Sequence, residues 1–238
     1  MKVFQLMPWA DWLAVLFFAL GWAGYVWFAK HWSERRPSVL HVTNRMRLHW
    51  MQQATQRDPR MLDGLIAQSL SSSPSFFAST TIIIIGGILA LLGTTDKAAE
   101  FVKELPFSEP TTMLVFDLKL LVLLAIFVYA FFRFTWSLRQ YTFASLLIGA
   151  MPSPEEFASG QFDRELYANR AARVAGLAAE TFNDGLRAYY FSFAAMTWLL
   201  NGWFLVLSTW VVIFVLYRRE FHSVFLDAFS EQKSGAAP

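Results

Sequence analysis

Tyr129, Arg133, Ser137 and Gln140 recur at spacings of four, four and three residues. At about 100° per residue they lie on one stripe of a helix, with Trp136 beside them and Lys119 near the same face further up. Phe127, Phe131, Phe134 and Leu138 lie opposite. A guanidinium at the end of an apolar run can snorkel to a membrane interface within an aromatic belt. The same stripe can instead face neighbouring helices, or the axis of an oligomer, and line a water-filled vestibule. A second stripe holds Asn169, Arg173, Glu180, Asp184 and Arg187. Asp184 can pair with Arg187 one turn on, the whole face can be solvated, or its carboxylates can meet Arg133 or Arg139 across a packed interface as a charged ring or gate. Further on, Thr197, Asn201 and Ser208 follow Tyr190 and Ala194 along one face. An amide at Asn201 within hydrocarbon must find a hydrogen bond, as glue between helices or as part of a pore lining.

The elements that carry these stripes follow from composition. The 238 residues are 55% hydrophobic, 17% aromatic and 16% charged, against roughly 25% charged in an average soluble domain. The apolar residues are concentrated in Trp9–Ala29, Ser75–Gly93, Met113–Phe132 and Tyr189–Tyr217. Each run is long enough to cross about 30 Å of hydrocarbon at 1.5 Å per residue. The expectation is an all-α integral membrane protein with four transmembrane helices, at about 9–29, 75–93, 113–132 and 189–217. Long cytoplasmic helical extensions at 30–74 and 134–188 join them into one membrane domain, 1–230, with a disordered tail at 231–238. The first run is rich in Trp and lacks a small-x-small cleavage pattern, so it reads as a retained span.

Orientation follows the excess of Lys and Arg in cytoplasmic connections. Lys30, Arg35, Arg36, Arg45, Arg47, Arg57 and Arg60 follow the first run. Arg133, Arg139, Arg164, Arg170, Arg173 and Arg187 follow the third. Both connections are expected in the cytoplasm and both termini outside. Arg218 and Arg219, directly after the fourth run, oppose that assignment.

The first basic segment is expected to break into two helices at Asp58-Pro59, with Asp as cap and Pro in the first turn. In "SPEE", Ser153, Pro154 and Glu156 form a capping box, opening a helix that continues into the fourth run. In the second run Ser75, Ser79, Gly86, Ala90 and Gly93 share one small-residue face, as Ala10, Ala14 and Gly21 do in the first. Both are expected to be helix-packing surfaces.

Several function classes are excluded or disfavoured. The chain has no cysteine, which removes disulfides, thiolate metal sites and cysteine nucleophiles. A net charge of +2, without basic residues interleaved with aromatics on a soluble surface, argues against nucleic acid. His41 and His49 lie eight residues apart, but Arg45 and Arg47 between them oppose a cation, so no metal site is expected. Zinc-protease, hydrolase, phosphate-binding and dinucleotide motifs are missing; no enzyme activity and no cofactor are expected.

"FFASTTIIIIGGILALLG", "IFVYAFFRFTWSLRQY", "NDGLRAYYF" and "LYRREF", in this order, resemble the bacterial membrane proteins grouped as domain of unknown function 599, over most of the chain. The resemblance implies a multi-span protein of the bacterial cytoplasmic (inner) membrane. It assigns no activity and no functional residue.

The resulting expectation is a homo-oligomer in the lipid bilayer, with a channel-like or transport pathway for a small ion or solute. Tyr129, Arg133, Ser137, Gln140, Thr197, Asn201 and Ser208 are its candidate lining. Arg173, Glu180, Asp184 and Arg187 form a cytoplasmic charged stripe, and Ser79, Gly86, Ala90 and Gly93 the packing face. A membrane scaffold or assembly factor, recruiting a protein partner through the cytoplasmic helices, is the alternative.

Overall fold

The computed structural model describes residues 7–32, 38–109 and 111–230. The expected tail at 231–238, and Arg35 and Arg36 of the basic segment, lie outside the described residues. Every regular element among the described residues is a helix: α1 (Trp9–Trp32), α2 (Val39–Ala54), α3 (Met61–Leu92), α4 (Thr95–Lys103), α5 (Met113–Gly149), α6 (Pro154–Ala158), α7 (Arg164–Thr197), α8 (Gly202–Phe221) and α9 (Val224–Ser230). Three of them, over Trp9–His31, Met61–Leu92 and Met113–Gly149, are long and apolar enough to cross a membrane. The chain forms two compact units, and α3, α5, α7 and the last residues of α8 divide between them.

The first unit comprises Met1–Trp32, Thr80–Phe131 and Leu186–Arg219. Its contacts fix the direction of each helix. Along α1 and α8 the partners advance together: Asp11 lies against Gly202, Gly21 against Thr209 and Ile213, and Phe28 near Tyr217. The two helices therefore run parallel. Along α7 and α8 they advance oppositely. The hydroxyls of Thr197 and Ser208 bond at 2.8 Å, and Arg219 Nη1 donates to the Tyr190 hydroxyl at 2.8 Å. The expected single span over 189–217 is thus a helical hairpin, turning at Trp198–Asn201. The physical reason is local. Asn201 leaves the helix, its Oδ1 accepts from the Trp203 amide at 2.8 Å, and α8 starts afresh at Gly202. Asn-Gly is a turn signal, and 29 continuous helical residues would measure about 43 Å, well beyond the hydrocarbon thickness.

The second unit comprises Ser33–Ser79, Phe132–Gly185 and Glu220–Pro238. Its core packs Met51 and Ala54 of α2, Ala67 of α3, Ala144 and Ile148 of α5, and Phe157 of α6 against an alanine row on α7, Ala168, Ala171, Ala172 and Ala175. Alanines at this spacing make a smooth face that neighbouring backbones approach closely. Phe77, Phe134 and Phe182 form an aromatic layer with ring centroids 5.3–5.7 Å apart. Arg60 ties the loop after α2 to the end of α5, donating to the carbonyls of Ala54 at 3.0 Å, Met151 at 2.9 Å and Pro152 at 2.5 Å.

Two further expectations are corrected. Asp58 and Pro59 do separate α2 from α3, but α3 begins only at Met61, so Pro59 is not in its first turn. That helix also runs on through Pro74 into the apolar run. The Ser153–Glu156 capping box is formed, yet the helix it opens stops at Ala158. Gly160, at φ 78°, takes the left-handed conformation that glycine tolerates, and α7 starts at Arg164. The small-residue face of α3, Ser79, Gly86, Ala90 and Gly93, is exposed and packs against nothing among the described residues. The face of α3 that packs within the chain carries Ala67, Pro74, Ala78, Thr81 and Ile88 instead. Larger side chains can enter the grooves of neighbouring helices there, and Thr81 bonds the Tyr189 hydroxyl at 2.6 Å.

Candidate functional site

Two polar clusters lie between packed helices, one in each unit, the first buried and the second partly exposed. In the first unit α1 presents Asp11, 5% exposed, and α5 presents Lys119, 3% exposed. Trp198, at the hairpin turn, holds both: its Nε1 donates to Asp11 Oδ1 at 3.2 Å, and its carbonyl accepts from Lys119 Nζ at 2.8 Å. The ammonium also lies 5.3 Å from the centre of the Trp198 ring. Asp11 and Glu109 are the carboxylates that act on Lys119 electrostatically. Gly202 completes the enclosure, since a Cβ there would sit 2.5 Å from Asp11 Oδ1. Nearby in sequence, Asp117 accepts from the Thr95 hydroxyl at 2.8 Å. A buried acid and a buried base in apolar helices are costly to place and mark ion or proton pathways in membrane proteins.

The second cluster joins α2, α5 and α7 in the second unit. Arg133 forms an ion pair with Asp184, whose side chain is 6% exposed. One turn along α5, the Ser137 hydroxyl donates to the Ala178 carbonyl at 2.7 Å, filling the acceptor that faces it. Arg47 Nη1 donates to Asn44 Oδ1 at 2.8 Å and to the Thr43 hydroxyl at 3.1 Å, and Asn44 Nδ2 donates to Glu180 at 3.4 Å. Burial holds the Arg47 guanidinium below its ordinary pKa, and Tyr141 and Glu180 partly offset this. Two carboxylates of α7 are thus each matched by an arginine of another helix, Asp184 by Arg133 of α5 and Glu180 by Arg47 of α2.

The predicted residues separate accordingly. Arg133, Ser137, Glu180 and Asp184 come together, and Arg133 meets the α7 carboxylate across a packed interface, which is one of the alternatives left open above. Gln140 is half-buried, and its Oε1 has no hydrogen-bond partner among the described residues. Tyr129, 42% exposed, contributes to the first unit, edge-on to Trp22 at 5.8 Å. Arg187 is buried with its guanidinium 5.9 Å from the Tyr25 ring centre, while Arg173 is exposed on α7. Thr197 and Ser208 do meet, but across the hairpin, and Asn201 is a helix cap rather than a mid-span amide.

Sequence reasoning missed Asp11, Trp198, Asn44, Arg47 and Tyr141. A signal for the first pair was present, because Asp11 is the sole charge in Trp9–Ala29 and Lys119 the sole base in Met113–Phe132. A lone acid in one apolar run and a sole base in another are candidates for neighbours in a packed bundle. The partnership of α2 with α7 had no such signal. Among the described residues, no group of three or more His, Asp or Glu side chains could hold a metal ion.

The chain matches no curated protein and no solved structure. A family model described as "Protein of unknown function, DUF599" matches residues 13–225, nearly the whole chain, and the chain belongs to that family.

Proposed function

We propose that this is a multi-pass protein of the bacterial cytoplasmic membrane that provides a path for a small ion or solute and catalyses no reaction. The observation that carries this reading is the Asp11–Trp198–Lys119 cluster. Two buried charges of opposite sign held by one tryptophan between apolar helices have a reason to persist where a charge must enter or cross the bilayer. One copy contributes few spans, and the uncovered small-residue face of α3, Gly86, Ala90 and Gly93, suits close approach of a second copy. A homo-oligomer would then enclose the path.

The hairpin also supports a revised topology. If α7 and α8 enter and return on one side, Arg187, Arg218 and Arg219 join the other basic segments in the cytoplasm, and the opposition noted from sequence disappears. The start of α1 and the 94–112 connection then lie outside, and the end of α8 lies inside rather than outside. Because the chain has no cysteine, Lys103→Cys and Arg218→Cys report this directly. A membrane-impermeant maleimide applied to intact cells should label the first and spare the second; the opposite pattern refutes the topology.

Purified protein in liposomes is expected to pass a small ion or solute, with flux lost in Lys119→Met. No flux of anions, cations or common metabolites above protein-free vesicles would refute the reading. The scaffold reading has its own support in exposed apolar side chains on α5, Trp136, Phe143 and Leu146. It predicts a fixed protein partner retained in mild detergent, and no dependence of that capture on Lys119.

A further inference from the structure

In the second unit α2 and α7 part to leave an open cleft of about 360 Å³, within the range of small-molecule sites. Asn169, Arg173, Gly176 and Glu180 follow one another along one face of α7, and Asn44 of α2 faces them. The charges in and behind the cleft do not cancel. Glu180 is held by Asn44 and lies in the field of half-buried Arg47, which also bonds Asn44, so this carboxylate is already balanced by a cation. Arg173 is exposed and, among the described residues, forms no ion pair with a carboxylate. It is the uncompensated charge of the cleft. Asn169 spends one amide hydrogen on the Glu165 carbonyl at 2.9 Å and keeps its oxygen as an acceptor.

We propose that this cleft binds a small, soluble organic anion. A carboxylate or phosphate takes the guanidinium fork of Arg173 through charge-assisted hydrogen bonds. A hydroxyl of the ligand donates to Asn169, and its body rests on the Ala172–Gly176 floor. The site does not depend on the conduction reading, because it uses residues of the other cluster and needs no flux to be detected.

The test is titration calorimetry of the full chain in detergent, with citrate, glucose 6-phosphate and inorganic phosphate as probes and glucose as the uncharged control. Saturable binding of at least one organic anion, weakened by salt and absent for glucose, is expected. Arg173→Gln should lower its affinity at least tenfold, Arg173→Lys should restore part of it, and Arg170→Gln, an exposed arginine outside the cleft, should leave it unchanged. Three results would overturn the proposal: no saturable heat with any anion, equal losses in Arg170→Gln and Arg173→Gln, or tighter binding of short-chain phosphatidate than of the soluble anions. The last would assign the cleft to lipid. Failure of flux in liposomes leaves this experiment untouched, and its own failure leaves the flux result standing.

Discussion

Neutralising Asp184 removes the charge that Arg133 meets inside the second unit. At an effective dielectric of about 20, unit charges about 4 Å apart attract by about 4 kcal/mol. The Arg133 side chain is 29% exposed and Asp184 only 6%, so screening reaches one partner, and a coupling of about 2–4 kcal/mol is expected. The cost of breaking the pair is of similar size or larger, about 3–5 kcal/mol for a buried pair, because the remaining charge keeps its desolvation penalty without a partner. Arg133 Nε already has no hydrogen-bond partner among the described residues. Asp184→Asn keeps the shape and isolates the charge. With 10 tryptophans in the chain, thermal unfolding in detergent can be followed by intrinsic fluorescence, and the midpoint should fall by about 6–20 °C. Arg133→Met should also lower the midpoint, and Arg133→Met combined with Asp184→Asn should cost clearly less than the sum of the two single changes. A cycle that is additive to within about 0.5 kcal/mol would refute the reasoning, since it would mean that water rather than Asp184 satisfies Arg133.

Other perturbations test the packing. Gly185→Ala would place a Cβ 2.5–2.9 Å from three ring carbons of fully buried Phe134, so a loss of about 1–3 kcal/mol is expected in the same unfolding assay. Gly24→Ala in α1, which meets nothing within 4 Å, should instead gain about 0.4–1 kcal/mol. Arg60→Ala strips donors from three carbonyls at once and should cost about 2–4 kcal/mol, with earlier proteolysis of the 55–60 and 150–153 loops as an independent readout. Burial raises the Tyr167 phenol above its ordinary value of 10.0, with Arg60 opposing. The folded state therefore keeps this proton when the unfolded chain has lost it. Stability present at neutral pH falls as pH rises above about 10, and Tyr167→Phe should flatten that alkaline limb, an effect read from unfolding midpoints at several pH values above 9.

The sequence determined the material and the period. Runs of apolar residues fixed an all-helical chain with membrane-length segments, because only a helix satisfies its own backbone in hydrocarbon. The capping box at Ser153 was legible because its hydrogen bonds join residues three apart in sequence. Where chain direction changes was less legible. The 189–217 run looked like one span because its composition is uniform, and the turn depends on one Asn-Gly pair.

Which faces are buried could be decided only by tertiary structure. A helix offers several stripes, and the one that packs is chosen by the neighbours it meets. On α3, Ala78, Thr81 and Ile88 went inward while Ser79, Gly86 and Gly93 stayed out. Partners of charge are equally non-local. Asp11 and Trp198 are 187 residues apart, and Arg133 and Asp184 are 51 apart. A linear pattern offers such positions only as alternatives; the need to pair every charge removed from water selects among them once the helices are packed.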